Sequence, residues 1–176
     1  MTMVVGVPEQ RVQPEWFPAR SDRRPDPARS FAYTPEARRL FTSFRGRSTI
    51  VRLESVDNDV LGVPRWVPFA EVWAGTGARM ARQWLDNPVI QIAEGDDPRL
   101  VLATGTPVIL FGVDNHRHEY ARAVIDHLRS TCRTVLVVDM GTTLHDLAYA
   151  DIATFGYDQE HGAALVDLLA GDPLAA

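Results

Sequence analysis

The segment Asp114-Asn115-His116-Arg117-His118 holds the residue types in this chain that are best suited to chemistry. It follows an apolar run at residues 107–113, which predicts a buried strand, and it opens a stretch with helical spacing at residues 116–129. Open α/β sheets bind ligands at the carboxyl ends of their strands, above all where the strand order reverses. We therefore predict a site for a small polar ligand here. The alternative is that Asp114 and Asn115 are structural helix caps.

A second acidic segment, Asp139-Met140-Gly141-Thr142-Thr143, ends the next predicted strand, at residues 134–138. Its position makes Asp139 a candidate neighbour of Asp114. Two carboxylates held close together raise the pKa of one of them and can transfer a proton. Turn and capping roles for Asp139 and Thr142 are the competing interpretation.

These two segments supply all the candidate site residues. The predicted ligand-binding residues are Asp114, Asn115, His116, His118, Asp139, Gly141 and Thr142, and the catalytic candidates, if the protein is an enzyme, are Asp114, His116, His118 and Asp139. A His-x-His pair binds zinc when a third ligand joins it, and Asp139 or His145 could supply that ligand. We nevertheless expect neither a metal nor a cofactor.

The composition excludes several kinds of chemistry. All 18 basic residues among the 176 are arginine, and Cys132 is the single cysteine. P-loop nucleotidases, Schiff-base enzymes and Ser-x-x-Lys acyltransferases each require a lysine. Gly75 and Gly77 begin a sequence like the dinucleotide fingerprint, but Met80 stands where its third glycine belongs.

Charge is distributed unevenly along the chain. Residues 1–52 contain ten Arg and five acidic residues, whereas residues 53–176 contain eight Arg and eighteen acidic residues. The acidic body would repel phosphate, so no nucleic acid partner is expected. No apolar run is long enough for a membrane span, and the first ten residues do not resemble a signal peptide. We therefore expect a cytoplasmic protein without a membrane partner.

The order of the predicted elements indicates an α/β fold. Five prolines interrupt residues 1–33, which we predict to be an extended or disordered arm. Thr34-Pro35-Glu36 predicts a helix start, and Asp158 predicts the start of the last helix. Between them, apolar strands alternate with helices. The predicted fold is a three-layer α/β/α sandwich with a mostly parallel sheet of five or six strands, in a domain of residues 34–176. The sequence predicts strands at 49–53, 89–93, 107–113, 134–138 and 152–155, a loop at 56–68, and helices from 69, at 98–103 and at 116–129.

Residues 107–120, 134–141 and 149–156, in this order and spacing, resemble the C-terminal domain of bacterial family 3 β-N-acetylglucosaminidases, with the actinobacterial branch most similar. The resemblance extends over about residues 34–172. It implies that the chain lacks the (β/α)8 barrel that carries the family's nucleophile and acid/base, since such a barrel alone needs about 250 residues. No position here matches those catalytic motifs.

Three hypotheses about function follow. The first is a non-catalytic accessory or ligand-binding domain, for an amino sugar or a similar small polar molecule. The second is a small enzyme of specialised metabolism that uses the Asp and His residues at the strand ends. The third is an interaction protein, a homo-oligomer or the partner of another protein, in which the surface that faced the barrel is covered. A fragment or subunit of a glycoside hydrolase is a further alternative.

Overall fold

The computed structural model describes residues 31–44, 46–55, 87–97, 99, 105–141 and 147–170, without the side chains of Leu147, Gln159 and Ala170. The predicted loop at 56–68 and the helix predicted from residue 69 lie outside these residues, as do residues 1–30 of the predicted arm. The same holds for Thr142 and His145, and for all of the helix predicted at 98–103 except Arg99.

A six-stranded sheet forms the centre of the described part of the chain. Its strands are β1 (Ala32–Tyr33), β2 (Thr49–Glu54), β3 (Val89–Ala93), β4 (Val108–Gly112), β5 (Val135–Asp139) and β6 (Ile152–Ala153). Their spatial order is β1-β6-β5-β4-β2-β3, and every pairing is parallel except that of β1 with β6.

The strand order reverses between β2 and β4. The chain passes from β2 to β3 on one side and then returns to place β4 on the other side of β2. Numbered along the chain, the five parallel strands have the order 2-1-3-4-5, which is the flavodoxin-like order. Ile50 marks the register, since it lies opposite Val89 of β3 and Ile109 of β4.

The central strands are buried on both faces, as parallel strands between two helical layers should be. All five residues of β4 are buried, and so are five of the six residues of β2. Three α-helices, α1 (Pro35–Leu40), α2 (Glu119–Thr131) and α3 (Gln159–Ala170), supply the covering layers.

One face of the sheet packs against α2. Along this helix the apolar residues Ala121, Val124, Ile125 and Leu128 recur at the i, i+3, i+4, i+7 positions and are buried against residues of β2, β3, β4 and β5. Each large side chain buried in this way contributes about 1.5–3 kcal/mol.

The opposite face packs against α1 and α3. A 3-10 turn, Phe41–Phe44, continues α1 and buries Phe41 and Phe44 against this side of the sheet. The helix α3 buries Leu165 and Leu169 against the same side. The sheet therefore has helices on both faces. The predicted three-layer α/β fold with a mostly parallel sheet of five or six strands is confirmed.

The helix starts follow from capping residues. The Oγ1 of Thr34 accepts the backbone N–H of Ala37 at 3.0 Å, and Pro35 occupies the first helical position of α1. At the start of α3, Asp158 Oδ1 accepts the backbone N–H of His161 at 3.0 Å. Both caps were predicted from the sequence.

Residues 31–33, which the sequence analysis assigned to the arm, belong to the folded core. Phe31 is buried in the α1–α3 core and stacks on His161 with ring centroids 6.3 Å apart. The strand β1 pairs antiparallel with β6, with Ala32 opposite Ala153. A two-residue strand has no periodicity, and the prolines nearby hid it in the sequence.

None of the helices among the described residues has the length and the apolar character required to span a bilayer.

Candidate functional site

The candidate site lies where β4 and β5 end, beside the reversal of strand order. Gly112 of β4 and Asp139 of β5 are opposite each other in the parallel register. After β4 the chain makes a 3-10 turn, Asn115–Arg117, before α2 begins. We call residues 112–118 the switch loop.

Asp139 holds the switch loop in place through its carboxylate. Its Oδ1 accepts the backbone N–H of Asp114 at 2.9 Å and that of Gly141 at 2.7 Å, and its Oδ2 accepts the N–H of Asn115 at 2.9 Å. The side chain is almost fully buried, at 3% exposure. Asp139 thus satisfies three backbone donors that the protein would otherwise bury without partners.

This arrangement corrects the capping roles predicted for Asp114 and Asn115. Neither Asp114 nor His118, the residues that precede the 3-10 turn and α2, makes a side-chain capping hydrogen bond. The carboxylate of Asp139 on the neighbouring strand satisfies the amide groups of the turn instead. His116 and His118 were expected in the first turn of the helix, but His116 lies in the 3-10 turn and His118 immediately precedes α2.

The pKa of Asp139 is set by influences that act in opposite directions. Burial raises the pKa of its carboxyl group, the three backbone hydrogen bonds lower it, and the nearby charge of Asp114 raises it again. The balance leaves the pKa of Asp139 above its ordinary value. The hydrogen bond from the backbone N–H of Asp114 to Oδ1 of Asp139 shows that the two residues are neighbours, as the sequence predicted.

Two glycines allow the switch loop to lie close to the sheet. A Cβ atom on Gly112 would lie 2.0 Å from Oδ1 of Asn115, and a Cβ atom on Gly141 would lie 2.0 Å from Oδ1 of Asp114. Both distances are far inside van der Waals contact. Asp114 itself has a φ of 49°, in the left-handed region, which Asp tolerates better than most residues. The close approach therefore depends on glycine at both strand ends.

Asn115 is the most deeply buried polar side chain of the switch loop, with 0% exposure. Its Nδ2 donates to the carbonyl oxygen of Tyr149 at 3.3 Å, which links the loop to the 3-10 turn Leu147–Tyr149. Its Oδ1 is buried without a hydrogen-bond partner. This side chain packs the loop against the protein interior.

The remaining polar side chains of the switch loop differ in their exposure. Arg117 is about half-exposed and places Nη1 3.6 Å from Oδ2 of Asp114. His118 is partly buried, with its ring 5.9 Å from that of Tyr120. Both ring nitrogens of His116 are buried, and Nη1 of Arg122 donates to its carbonyl oxygen at 2.6 Å. Carboxylate, imidazole and guanidinium groups are thus gathered on one short loop.

The structure brings together most of the residues predicted for the site. Asp114, Asn115, His116, His118, Asp139 and Gly141 all lie at the ends of β4 and β5. Thr142 lies outside the described residues. Gly112, Arg122 and Tyr149 also shape the site and were missed. Only Gly112 gave a sequence signal, as a glycine that ends an apolar strand.

Among the described residues, no group of three His, Cys, Asp or Glu side chains is arranged to hold a metal ion. His145, one of the two third ligands considered, lies outside them. The other, Asp139, directs its carboxylate oxygens to three backbone amides of the protein.

The geometry limits what each acid of the site can do. With both oxygens of Asp139 engaged by backbone donors, this residue is suited to positioning the loop. The Asp114 carboxylate is 12% exposed and lies beside Arg117, and His116 and His118 belong to the same switch loop. Their use in binding or catalysis stays a prediction.

No protein-family model matches the chain, and no curated protein matches it. A solved structure of a fungal multi-domain GH3 β-N-acetylglucosaminidase, described as containing a unique GCN5-related glucosamine N-acetyltransferase region, is similar to it with a TM-score of 0.48 and 16% identity. The similarity covers 71% of this chain and 14% of that chain. No inference about function follows from it.

These findings correct the family expected from the sequence. The assignment to the C-terminal domain of bacterial, actinobacterial-type family 3 β-N-acetylglucosaminidases is wrong: no family model matches the chain, and the similar structure described above is that of a fungal protein at 16% identity. The segments that carried the resemblance are strands and adjoining turns of the parallel sheet. Short strand-and-turn patterns are therefore evidence for the fold class and do not identify a family.

Proposed function

We propose that this protein binds a small polar ligand at the switch loop. The observation that carries the proposal is the Asp139 carboxylate, which accepts three backbone N–H groups and fixes the loop at the reversal of strand order. Ligands of open α/β sheets bind at such a point. A rigid support beneath a loop of polar side chains is what a preorganised binding site requires.

The same hydrogen bonds favour a particular class of ligand. The start of a helix or turn binds phosphate or carboxylate through its free backbone amides. Here the amides of Asp114 and Asn115 already donate to Asp139. The part of the site that the structure describes therefore favours a neutral or cationic molecule rich in hydroxyl or amino groups. An amino sugar, which the sequence analysis put forward, belongs to this class.

Titration of the 15N-labelled protein followed by NMR tests this proposal. The probes are glucosamine and N-acetylglucosamine, with glucose 6-phosphate as an anionic comparison. We expect saturable shifts in the amides of residues 112–118 with the first two probes and weaker binding of the phosphate. Saturable shifts confined to other parts of the chain, or none with any probe, would contradict the proposal.

Matched histidine variants locate the ligand. His118→Ala removes a partly buried imidazole from the switch loop, whereas His127→Ala removes one from the C-terminal half of α2. We expect at least a tenfold loss of affinity for the first and none for the second, since a lost hydrogen bond to a polar ligand costs about 1.4 kcal/mol or more. Equal affinities of both variants would exclude a contact of His118 with the ligand.

A further inference from the structure

Among the described strands, β3 (Val89–Ala93) forms one edge of the sheet and pairs with β2 only. Within the described ranges no strand lies on its other side. Val89, Gln91 and Ala93 have exposed side chains, and Val89 is 47% exposed. Exposed edge strands present unpaired backbone groups with which another chain can pair.

The register shows which backbone groups of β3 point outward. The N–H of Ile50 on β2 donates to the carbonyl oxygen of Pro88 at 2.9 Å. In a parallel ladder the residues that bond to the neighbouring strand alternate, so Ile90 and Ile92 direct their backbone groups toward β2. Val89, Gln91 and Ala93 direct theirs away from the sheet.

A turn that follows β3 closes the edge at Ala93. The N–H of Ala93 donates to Oδ2 of Asp96 at 2.8 Å, and the carbonyl oxygen of Ala93 accepts the N–H of Asp96 at 3.1 Å. The outward backbone groups that this turn leaves open on β3 are therefore those of Val89 and Gln91, which amount to two donors and two acceptors.

Nothing in the sequence of β3 opposes pairing with another strand. The strand reads Val-Ile-Gln-Ile-Ala, with no charged residue and no proline. Natural edge strands usually carry such residues to prevent association. A strand without them is suited to a partner strand.

The two ends of this edge carry opposite charge. Arg47 is exposed just ahead of β2, at the end where β3 begins, and Glu94, Asp96 and Asp97 follow the other end of β3. Asp97 is paired with Arg99, which leaves Glu94 and Asp96 to give that end its negative charge. An antiparallel partner of identical sequence would bring unlike ends together, whereas a parallel one would bring like ends together.

We propose that β3 pairs antiparallel with β3 of a second copy of this chain, about a two-fold axis at Ile90. Val89 then lies opposite Gln91 of the partner subunit, and the open donors and acceptors of both strands form four hydrogen bonds. The two sheets join into one continuous sheet with its two-fold axis at β3. This interface is independent of the proposed ligand site, since it uses the opposite end of the sheet from β5 and β6.

Gln91→Pro tests the pairing, with Gln91→Thr as its control. Proline removes the N–H of residue 91, which points away from β2, so the internal ladder keeps its hydrogen bonds. Val89→Lys is a second variant that places a charge on the same edge. We expect wild type and Gln91→Thr to approach twice the monomer mass in light scattering as concentration rises, and the other two variants to stay monomeric.

Thermal unfolding of dilute samples, where all variants are monomers, checks that each one folds. We expect midpoints within a few degrees of wild type for every variant. Amide exchange at residues 89 and 91 should also slow several-fold in concentrated wild type, and remain fast at residue 89 in Gln91→Pro. A wild type that is monomeric at all concentrations, or a Gln91→Pro protein that dimerises as wild type does, would overturn the proposal.

Discussion

Oδ2 of Asp139, at the end of β5, accepts the backbone N–H of Asn115, the first residue of the turn after β4, at 2.9 Å. A side chain of β5 thereby caps the turn that follows the neighbouring strand β4. The bond joins two segments 24 residues apart in sequence, and it ties the turn that precedes α2 to β5. The stability of the fold and the shape of the candidate site therefore depend on the same carboxylate.

Replacing Asp139 by alanine should cost about 3 kcal/mol in the free energy of unfolding, because three buried N–H groups lose their acceptor. Asp139→Asn keeps one oxygen but turns an amide donor toward a backbone donor, and should cost about 1–2 kcal/mol. Urea denaturation measures both values. Asp126→Asn, at an exposed position of α2, is the control and should change stability by less than about 0.5 kcal/mol. Similar losses for Asp126→Asn and Asp139→Asn would contradict this account.

The raised pKa of Asp139 predicts a pH dependence. Burial, the largest cause, favours the protonated form in the folded state, so the folded protein binds this proton more tightly than the unfolded chain does. The stability that this provides is complete below the unfolded pKa of about 4 and is lost as the pH rises through the folded pKa. Wild type should therefore gain stability relative to Asp139→Asn as the pH falls from 7 toward 4. A difference that stays constant or shrinks in urea denaturation over this range would count against the raised pKa.

Gly112→Ala should destabilise the protein by about 2 kcal/mol or more, because the new methyl group would lie 2.0 Å from Oδ1 of Asn115. The cost should be much smaller in an Asn115→Ala background, where the clashing atoms are absent. A double-mutant cycle measured by urea denaturation should therefore give a coupling energy of about 1 kcal/mol or more. Additive effects of the two substitutions would show that they do not meet.

Asp158 at the start of α3 should stabilise the protein through its cap and its charge. Partial burial raises the pKa of Asp158, but the hydrogen bonds from the amide and ring of His161 and the His161 charge outweigh it and hold the pKa below its ordinary value. Its contribution is present above the unfolded pKa and is lost as the pH falls through the folded pKa. Asp158→Ala should cost about 1 kcal/mol at pH 7.

Asp158→Asn separates the two effects. Asparagine is an equally good cap, so stability at neutral pH should change by only a few tenths of a kcal/mol. The stability that wild type loses in acid through protonation of Asp158 should not be lost in Asp158→Asn. Thermal melts of both proteins across the acid range measure this difference. If Asp158→Asn is as unstable at pH 7 as Asp158→Ala, the stabilisation by Asp158 comes from its charge and not from the hydrogen bond that a neutral side-chain oxygen would also accept.

Much of the sheet could be predicted from the sequence, because parallel strands buried on both faces are continuous apolar runs. The strand at Val89–Ala93 was predicted to the residue, and β4 and β5 to within one residue at each end. The helix cap at Thr34 was also predicted, since it depends on residues three apart in sequence.

The arrangement within the site could be predicted only in part. Neighbouring parallel strands end side by side at the same edge of a sheet. The proximity of Asp114 and Asp139 therefore followed from the predicted order of the strands. A capping role for Asp139 was one of the two interpretations of the sequence, but the turn that it caps was not predicted. An acid that caps a turn 24 residues away has the same local sequence as an acid that binds a ligand. The short strand β1 was hidden for a similar reason, since its pairing with β6 joins residues about 120 positions apart.

The position of β1 has a practical consequence for measuring distances. β1 and β3 form the opposite edges of the described sheet, five strand spacings apart, or about 24 Å. If two copies join through β3, spin labels at residue 33 would be separated by about 50 Å, well beyond one sheet width. The single native cysteine, Cys132, can be replaced by serine before Tyr33→Cys is introduced for labelling. Pulsed electron resonance on that protein would therefore distinguish joining at the β3 edge from stacking of one sheet on the other.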